Sequence, residues 1–220
     1  MRITQVSPHI WSLRSWLIVP VTVWLVREEE GLTLVDGGLS FMTGGILRFI
    51  EGLKAGPLRR ILLTHGHVDH VGAVTRIRER YPVPVFAHRV ELPYLEGQQL
   101  YPRRRKLEQN LPRGLAQPLP EEGDGRLSRI GGLQPYFTPG HSPGHVAYYH
   151  EQDQVLLAGD LFSSRGGRLR KPFAFATADM AEAVRSGRLV EELRPLRLEI
   201  CHGGPVLHPA RQMEAYLNQA

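Results

Sequence analysis

The segment Thr64-His65-Gly66-His67-Val68-Asp69-His70 places four side chains able to hold a metal ion within six positions. His65 and His67 are two apart, so in an extended segment both imidazoles project from the same side and can grip one ion. Asp69 and His70 follow after the chain has turned and can face a second point. The plain alternative is a polar surface loop that happens to be rich in His. So many ligand types so close together favour a metal cluster. Two adjacent ions suit a strand-end pair followed by a helix-start pair better than one ion does. Such a centre activates water and stabilises a developing oxyanion.

The flanking residues say what must position this segment. Arg60-Ile61-Leu62-Leu63 contains an unbroken apolar run that reads as a buried strand. Val71, Val74 and Ile77 recur at helical spacing, which predicts one helix from 68 that ends near Tyr81-Pro82. The ligand types therefore lie on a turn between a strand end and a helix start, where open α/β sheets place their chemistry. Upstream, residues 3–6, 10–14, 21–26 and 32–35 read as strands, with Glu28-Glu29-Glu30-Gly31 as a hairpin turn. Ile46, Leu47, Ile50 and Leu53 mark a helix that Gly56-Pro57 ends. Residues 83–87 read as a short strand. Downstream, strands are expected at 127–130, 134–138, 146–149, 155–158 and 198–201. Helices are expected over about 180–193, capped by Thr177 or Asp179, and about 208–217. Residues 163–177 read as a Gly- and Arg-rich loop. This pattern predicts a mixed α/β chain.

Residues 89–126 break the alternation, because Pro93, Pro102, Pro112, Pro118 and Pro120 fragment what helix Leu92, Leu95 and Leu100 suggest. Long irregular segments in compact domains tend to be functional. The expectation is a lid over the site, against a passive surface excursion.

With 220 residues the chain fits one domain, 1–220, and can bury a core of ordinary size. The first eight residues lack an apolar signal core, and the longest apolar stretch, 16–26, is too short to span a bilayer. Cys201 is the single cysteine, which excludes an internal disulfide and agrees with a reducing compartment. The expectation is a cytoplasmic protein with no membrane association. The formal charge of +5 comes from 27 basic against 22 acidic residues. Arg103-Arg104-Arg105-Lys106 is the best evidence for nucleic acid. No aromatic interleaving supports it, and a solvated helix face is favoured. The composition leaves the oligomeric state open.

Five motifs in order carry a resemblance. His65-x-His67-x-Asp69-His70 looks like the signature of the metallo-β-lactamase superfamily. Val35-Asp36-Gly37-Gly38 is similar to its strand-end Asp-Gly motif, and Thr138-Pro139-Gly140-His141-Ser142-Pro143-Gly144-His145 to its Thr-Pro-Gly-His-Thr-x-Gly-His motif. Ala158-Gly159-Asp160-Leu161-Phe162 resembles its Gly-Asp-x-Leu-Phe motif, and Cys201-His202-Gly203 its late His-Gly motif. The resemblance implies an αββα sandwich of two mixed β-sheets flanked by helices.

Residue by residue, it implies that His65, His67 and His141 hold one metal, that Asp69, His70 and His202 hold the other, and that Asp160 bridges them. Asp36 would support the ligands from behind. Imidazole mixed with carboxylate suits zinc, and iron and manganese also accept it. Two divalent ions, zinc first, are the implied cofactors. Asp69 is the expected catalytic group, accepting a hydrogen bond that orients the attacking hydroxide. His145 is left between a supporting and a packing role. His9, His88, His150 and His208 read as surface, strand-end or helix-start residues.

The resemblance implies a hydrolase acting on a small acyl substrate. Asp160 stands where one lactamase class has a Cys ligand, and His70 where that class has Arg, which argues against it. Val68 departs from the ribonuclease Z pattern, and Ser163 from the Tyr usual in acyl-homoserine lactonases. The match to glyoxalase II is good, although the chain stops soon after His202 without that family's helical glutathione-binding extension. A thioester or lactone is the expected substrate. A mononuclear iron persulfide dioxygenase and, behind it, a nucleic-acid-directed phosphodiesterase are the alternatives.

Overall fold

The computed structural model describes residues 1–219. Strands β1 (Arg2–Gln5), β2 (Ile10–Trp16), β3 (Pro20–Glu28) and β4 (Gly31–Val35) form an antiparallel meander. After α1 (Thr43–Leu53) the chain adds β5 (Leu58–Leu62) parallel to β4. Two short helices follow, α2 (Val68–Val71) and α3 (Val74–Arg80), and then β6 (Val85–Ala87). Helix α4 (Leu92–Leu95) and β7 (Ala116–Pro118) complete a seven-stranded sheet in chain order β1 to β7.

The second half starts with β8 (Gln134–Phe137), β9 (Val146–His150) and β10 (Val155–Leu157). A small hairpin, β11 (Ser163–Arg165) and β12 (Arg168–Arg170), stands apart. Then come α5 (Met180–Gly187), α6 (Leu189–Leu193), β13 (Arg197–Glu199), β14 (Val206–Leu207) and α7 (Met213–Leu217). The second sheet has five strands in the order β14-β13-β10-β9-β8.

Strand periodicity explains the layering. Along β9, Val146 and Tyr148 join the same buried cluster as Val23, Leu25, Ile61 and Leu63 of the first half. Ala147 and Tyr149 point the other way, into a cluster with Leu189, Val190, Met213 and Tyr216. β10 repeats this, with Val155 and Leu157 on one side and Leu156 on the other. Strands buried on both faces need the continuous apolar runs seen here. The result is helices, sheet, sheet, helices. Polar cross-links tie the two sheets: Tyr148 Oη donates to the Leu63 carbonyl at 2.7 Å and Trp24 Nε1 to Glu199 at 3.1 Å. No helix among the described residues is long and apolar enough to cross a membrane.

Several expectations change, among them the single helix expected over about 180–193, which divides into α5 and α6 at Arg188. The single helix predicted from 68 to near Tyr81 is two helices, because the His70 carbonyl accepts the Gly37 and Gly38 amides at 2.6 and 3.1 Å and so leaves the helical ladder. Residues 127–130 form only isolated bridges, Glu121 with Leu127 and Ile130 with Leu133, not a strand. The 163–177 loop contains the β11–β12 hairpin. The last helix begins with a short 3-10 turn, Pro209–Gln212. Of the two candidate caps for the 180s helix, Asp179 takes the role, accepting the Glu182 amide at 2.9 Å.

Candidate metal centre

The seven side chains come from four places in the chain: His65 and His67 from the turn after β5 with Asp69 and His70 from the contiguous α2, His141 from between β8 and β9, Asp160 from after β10, and His202 from after β13. The structure brings all seven together. His67 Nδ1 lies 2.9 Å from His65 Nε2 and 3.1 Å from His141 Nε2, so these three imidazoles converge. On the other side His202 Nε2 is 3.1 Å from Asp69 Oδ2, and His70 Nε2 is 3.9 Å from the same oxygen. Asp160 touches both groups: Oδ2 is 3.3 Å from His141 Nε2 and 3.1 Å from His202 Nε2, and Oδ1 is 3.4 Å from His70 Nε2.

Neighbouring groups fix which nitrogen of each ring faces inward. His70 Nδ1 donates to Asp36 Oδ2 at 2.7 Å, leaving Nε2 aimed at the centre. His202 Nδ1 donates to the Pro20 carbonyl at 2.8 Å. Thr64 Oγ1 donates to Asp36 Oδ2 at 2.9 Å and is 3.1 Å from His65 Nδ1, from which it can accept. Asp36 also accepts the Thr64 amide at 2.8 Å. It sits at a positive φ of 62°, a conformation Asp tolerates better than most residues. The carboxylate thereby reaches back under the ligand turn.

His145 supports the site and does not enter it. Its Nε2 accepts the Asp160 amide at 3.1 Å, and its Nδ1 is 2.9 Å from Thr138 Oγ1. Gly159 lets this happen: a Cβ there would lie 2.8 Å from both His145 Nε2 and Thr64 Cβ, and its φ is +51°.

Electrostatics separates the two halves. Burial pushes His67 down to about 4 and His65 and His141 well below the ordinary histidine range, so these rings are neutral with lone pairs available. Burial also opposes charge on His202 and His70, but acidic neighbours led by Asp160 for His202 and by Cys201 and Asp160 for His70 outweigh it, and both are raised. Asp160 is held well below the usual carboxylate range, burial being overcome by His202, His70 and His141.

The remaining candidates lie elsewhere. His88 stacks on Phe137 at 4.1 Å between centroids, and His208 precedes the 3-10 turn. His150 is buried, not on the surface. Its Nδ1 accepts the Asp153 amide at 3.2 Å, while Asp153 binds His9 Nδ1 at 2.8 Å. Cys201 is buried and shares a potential ligand cluster with His70, Asp160 and His202. Sequence reasoning missed Glu91, Tyr101 and Asn110, which touch the ligand turn of His65 to His67; only the prolines around them stood out. Arg103, from the basic run, is not simply solvated: its Nη1 donates to the carbonyls of Ala174 at 2.9 Å and Thr177 at 3.2 Å.

Two buried atoms in the centre, His70 Nε2 and Asp160 Oδ1, have no hydrogen-bond partner. A divalent cation, displacing the protons of His70 and His202, can be held by imidazole nitrogens and carboxylate oxygens that converge in this way, so the donor set fits a divalent metal.

Residues 17–202 match the sequence profile of the Metallo-beta-lactamase superfamily. The chain is 34% identical to the probable metallo-hydrolase YybB of Bacillus subtilis (strain 168), over 99% of this chain and 98% of that protein. It is 34% identical to a hydroxyacylglutathione hydrolase of Klebsiella pneumoniae subsp. pneumoniae, over 67% of this chain and 49% of that protein. The crystal structure of TTHA1623 in a di-iron-bound form is similar at a TM-score of 0.70 and 30% identity, covering 93% of this chain and 96% of that one. Profile, near full-length relative and fold all agree with the His/Asp cluster, and the chain therefore belongs to the metallo-beta-lactamase superfamily, as a hydrolase of that fold.

Proposed function

We propose that the chain is a binuclear metal-dependent hydrolase of a small acyl substrate, a thioester or a lactone. The observation that carries this reading is the convergence of five imidazoles and two carboxylates, with Asp160 within 3.4 Å of His70, 3.3 Å of His141 and 3.1 Å of His202. His65, His67 and His141 would hold one ion, Asp69, His70 and His202 the other, and Asp160 both. Zinc suits this donor set best. Iron is the second choice, in line with the di-iron form of TTHA1623. Such ions lower the pKa of a bound water toward about 7 and polarise an acyl carbonyl.

The chain's own residues do the rest. Asp160 spans the two groups and sets their separation. Asp69, whose side chain is a quarter exposed, lies at the solvent side, where its carboxylate can accept a hydrogen bond that orients the attacking water. Trp16, at the end of β2, and Leu17 and Ile18 after it are exposed and lead to Pro20, whose carbonyl holds His202. Phe173 lies 5.7 Å from the His202 ring and stacks on the exposed Phe175. Exposed apolar side chains on the segments that reach His202 suit an apolar acyl portion better than a phosphodiester backbone. The hydroxyacylglutathione hydrolase relative favours a thioester among acyl substrates. Residues 89–126, in a single domain with the rest, would choose among substrates as a lid. The lone buried Cys201 suits the cytoplasm.

The test is protein reconstituted with zinc or, without oxygen, with iron(II), assayed on thioesters, lactones, β-lactams and phosphodiesters with elemental analysis alongside. Two ions per chain and turnover of a thioester or lactone are expected. Failure to bind metal, or turnover of phosphodiesters alone, would overturn the proposal.

A further inference from the structure

Glu91 is fully buried, at the start of α4, in a segment that carries none of the ligand residues. Its carboxylate accepts four hydrogen bonds. Oε1 takes the Gly66 amide at 2.8 Å and the Tyr101 hydroxyl at 2.7 Å. Oε2 takes the Ser142 hydroxyl at 2.9 Å and the Gly144 amide at 2.7 Å. Gly66 is the residue between His65 and His67, and Ser142 follows His141 directly.

The same segment holds the other side of the His65–His67 link. Asn110 Nδ2 donates to the Gly66 carbonyl at 2.8 Å. The Tyr101 ring packs edge-on against His67 at 5.0 Å between centroids. Gly66 is what permits this approach: a Cβ there would lie 2.3 Å from Tyr101 Oη and 2.4 Å from Leu95 Cβ.

We infer that Glu91 is a positioning residue for one half of the metal site, locking the loop of His65 and His67 to the loop of His141. This rests on the binuclear reading above. Burying a carboxylate is costly, and packing alone is served as well by an apolar side chain. Four donors from two ligand loops and the flanking segment make a charged acceptor here useful, because hydrogen bonds to an ionised group are the stronger ones. Asp69, His70 and His202 receive none of these bonds. His70 is oriented by Asp36 and His202 by the Pro20 carbonyl. Glu91 therefore acts on one ion and not on the other.

Glu91→Gln tests this with nearly unchanged volume. A carboxamide has one oxygen and one NH2 group. Whichever way it is turned, the NH2 meets either the Gly66 or the Gly144 amide, and neither backbone donor can turn round. Zinc affinities are measured by titration against a chromophoric chelator, with circular dichroism to confirm folding. His67→Ala, which retains one intact group, identifies the affinity belonging to the Asp69–His70–His202 half. Glu91→Gln is expected to weaken the other ion by about 10–100-fold, as loss of a supporting partner does, with the Asp69-side affinity unchanged. Ile50→Ala, a buried cavity in α1 far from these loops, is expected to lower Tm while leaving both affinities alone. Should Glu91→Gln not fold, Tyr101→Phe and Ser142→Ala carry the test, each expected to weaken the same ion about three- to tenfold. Equal loss at both ions, or loss at neither, overturns the inference while the binuclear reading stands. Wild-type protein that binds fewer than two ions overturns both.

Discussion

Replacing Asp69 by Asn separates metal holding from catalysis. The Asp69 side chain is 26% exposed, against 6% for Asp160 and 8% for His202, so it is the carboxylate that meets solvent and substrate. Its Oδ2 stands 3.1 Å from His202 Nε2. Burial opposes its charge, yet His70 and His202 hold the carboxyl down to about 2, so it is ionised wherever the enzyme would work. Asn keeps the size and one oxygen and removes the charge. What Asn lacks is the charged acceptor that orients the attacking water, and such positioning is typically worth about 10²–10⁴ in rate, the lower end of which is about 2.7 kcal/mol at 1.36 kcal/mol per decade. The assay is kcat and KM for an acyl substrate across a metal titration, with bound metal measured at each point. The expected outcome is a kcat lowered at least about a hundredfold with KM moved much less. Near-normal kcat with both ions bound would refute the orienting role and leave Asp69 as a ligand only.

Metal uptake should release protons and strengthen as pH rises. His70 and His202 are raised above the ordinary histidine value, so in the ion-free protein they carry protons at neutral pH that a cation must displace. Calorimetry in buffers of different ionisation enthalpy checks the sign, and the absence of proton release would refute it. His88→Ala and His208→Ala should leave bound metal unchanged, since His88 stacks on Phe137 and His208 belongs to the C-terminal turn; elemental analysis showing a stoichiometric drop would mean the ligand set is wrong. Gly66→Ala should destabilise by about 1–3 kcal/mol through overpacking against Tyr101 and Leu95. That corresponds to a Tm lower by roughly 2–10 °C for a chain of this size, and an unchanged melting curve would show that the segment yields freely.

What could be read from the sequence was what is local. His65 to His70 announced itself because ligand types, strand and helix signals sit within a few residues of each other. Asp36, His141, Asp160 and His202 came from motif resemblance. Glu91 did not, because its partners at Gly66 and Gly144 are 25 and 53 residues away, and a lone acid before Leu92-Pro93 carries no signal of burial. The β11–β12 hairpin was within reach: Gly166-Gly167 is a two-residue turn signal, and both glycines take positive φ. It was masked because only Leu169 in β12 is buried, so the strand lacks apolar alternation. β7 escaped for a related reason. Ala116–Pro118 is three residues long and pairs with β6 across some thirty residues of irregular chain.

The ligand turn hangs from the first sheet, while His141, Asp160 and His202 hang from the second. Any ion gripped by both therefore spans the seam between the two halves of the chain, and it cannot be bound tightly until the halves have docked. Binding would then act as a staple between the halves, favouring the docked arrangement over separated ones. By linkage, an ion at a hundred times its dissociation constant adds about 2.7 kcal/mol against separation of the halves. Amides on either side of the seam, such as Val146, which donates to the Thr64 carbonyl at 2.8 Å, should then exchange with solvent at rates set by ion concentration. Amides in the outer meander, such as those joining β1 to β2, should exchange at rates that do not depend on it.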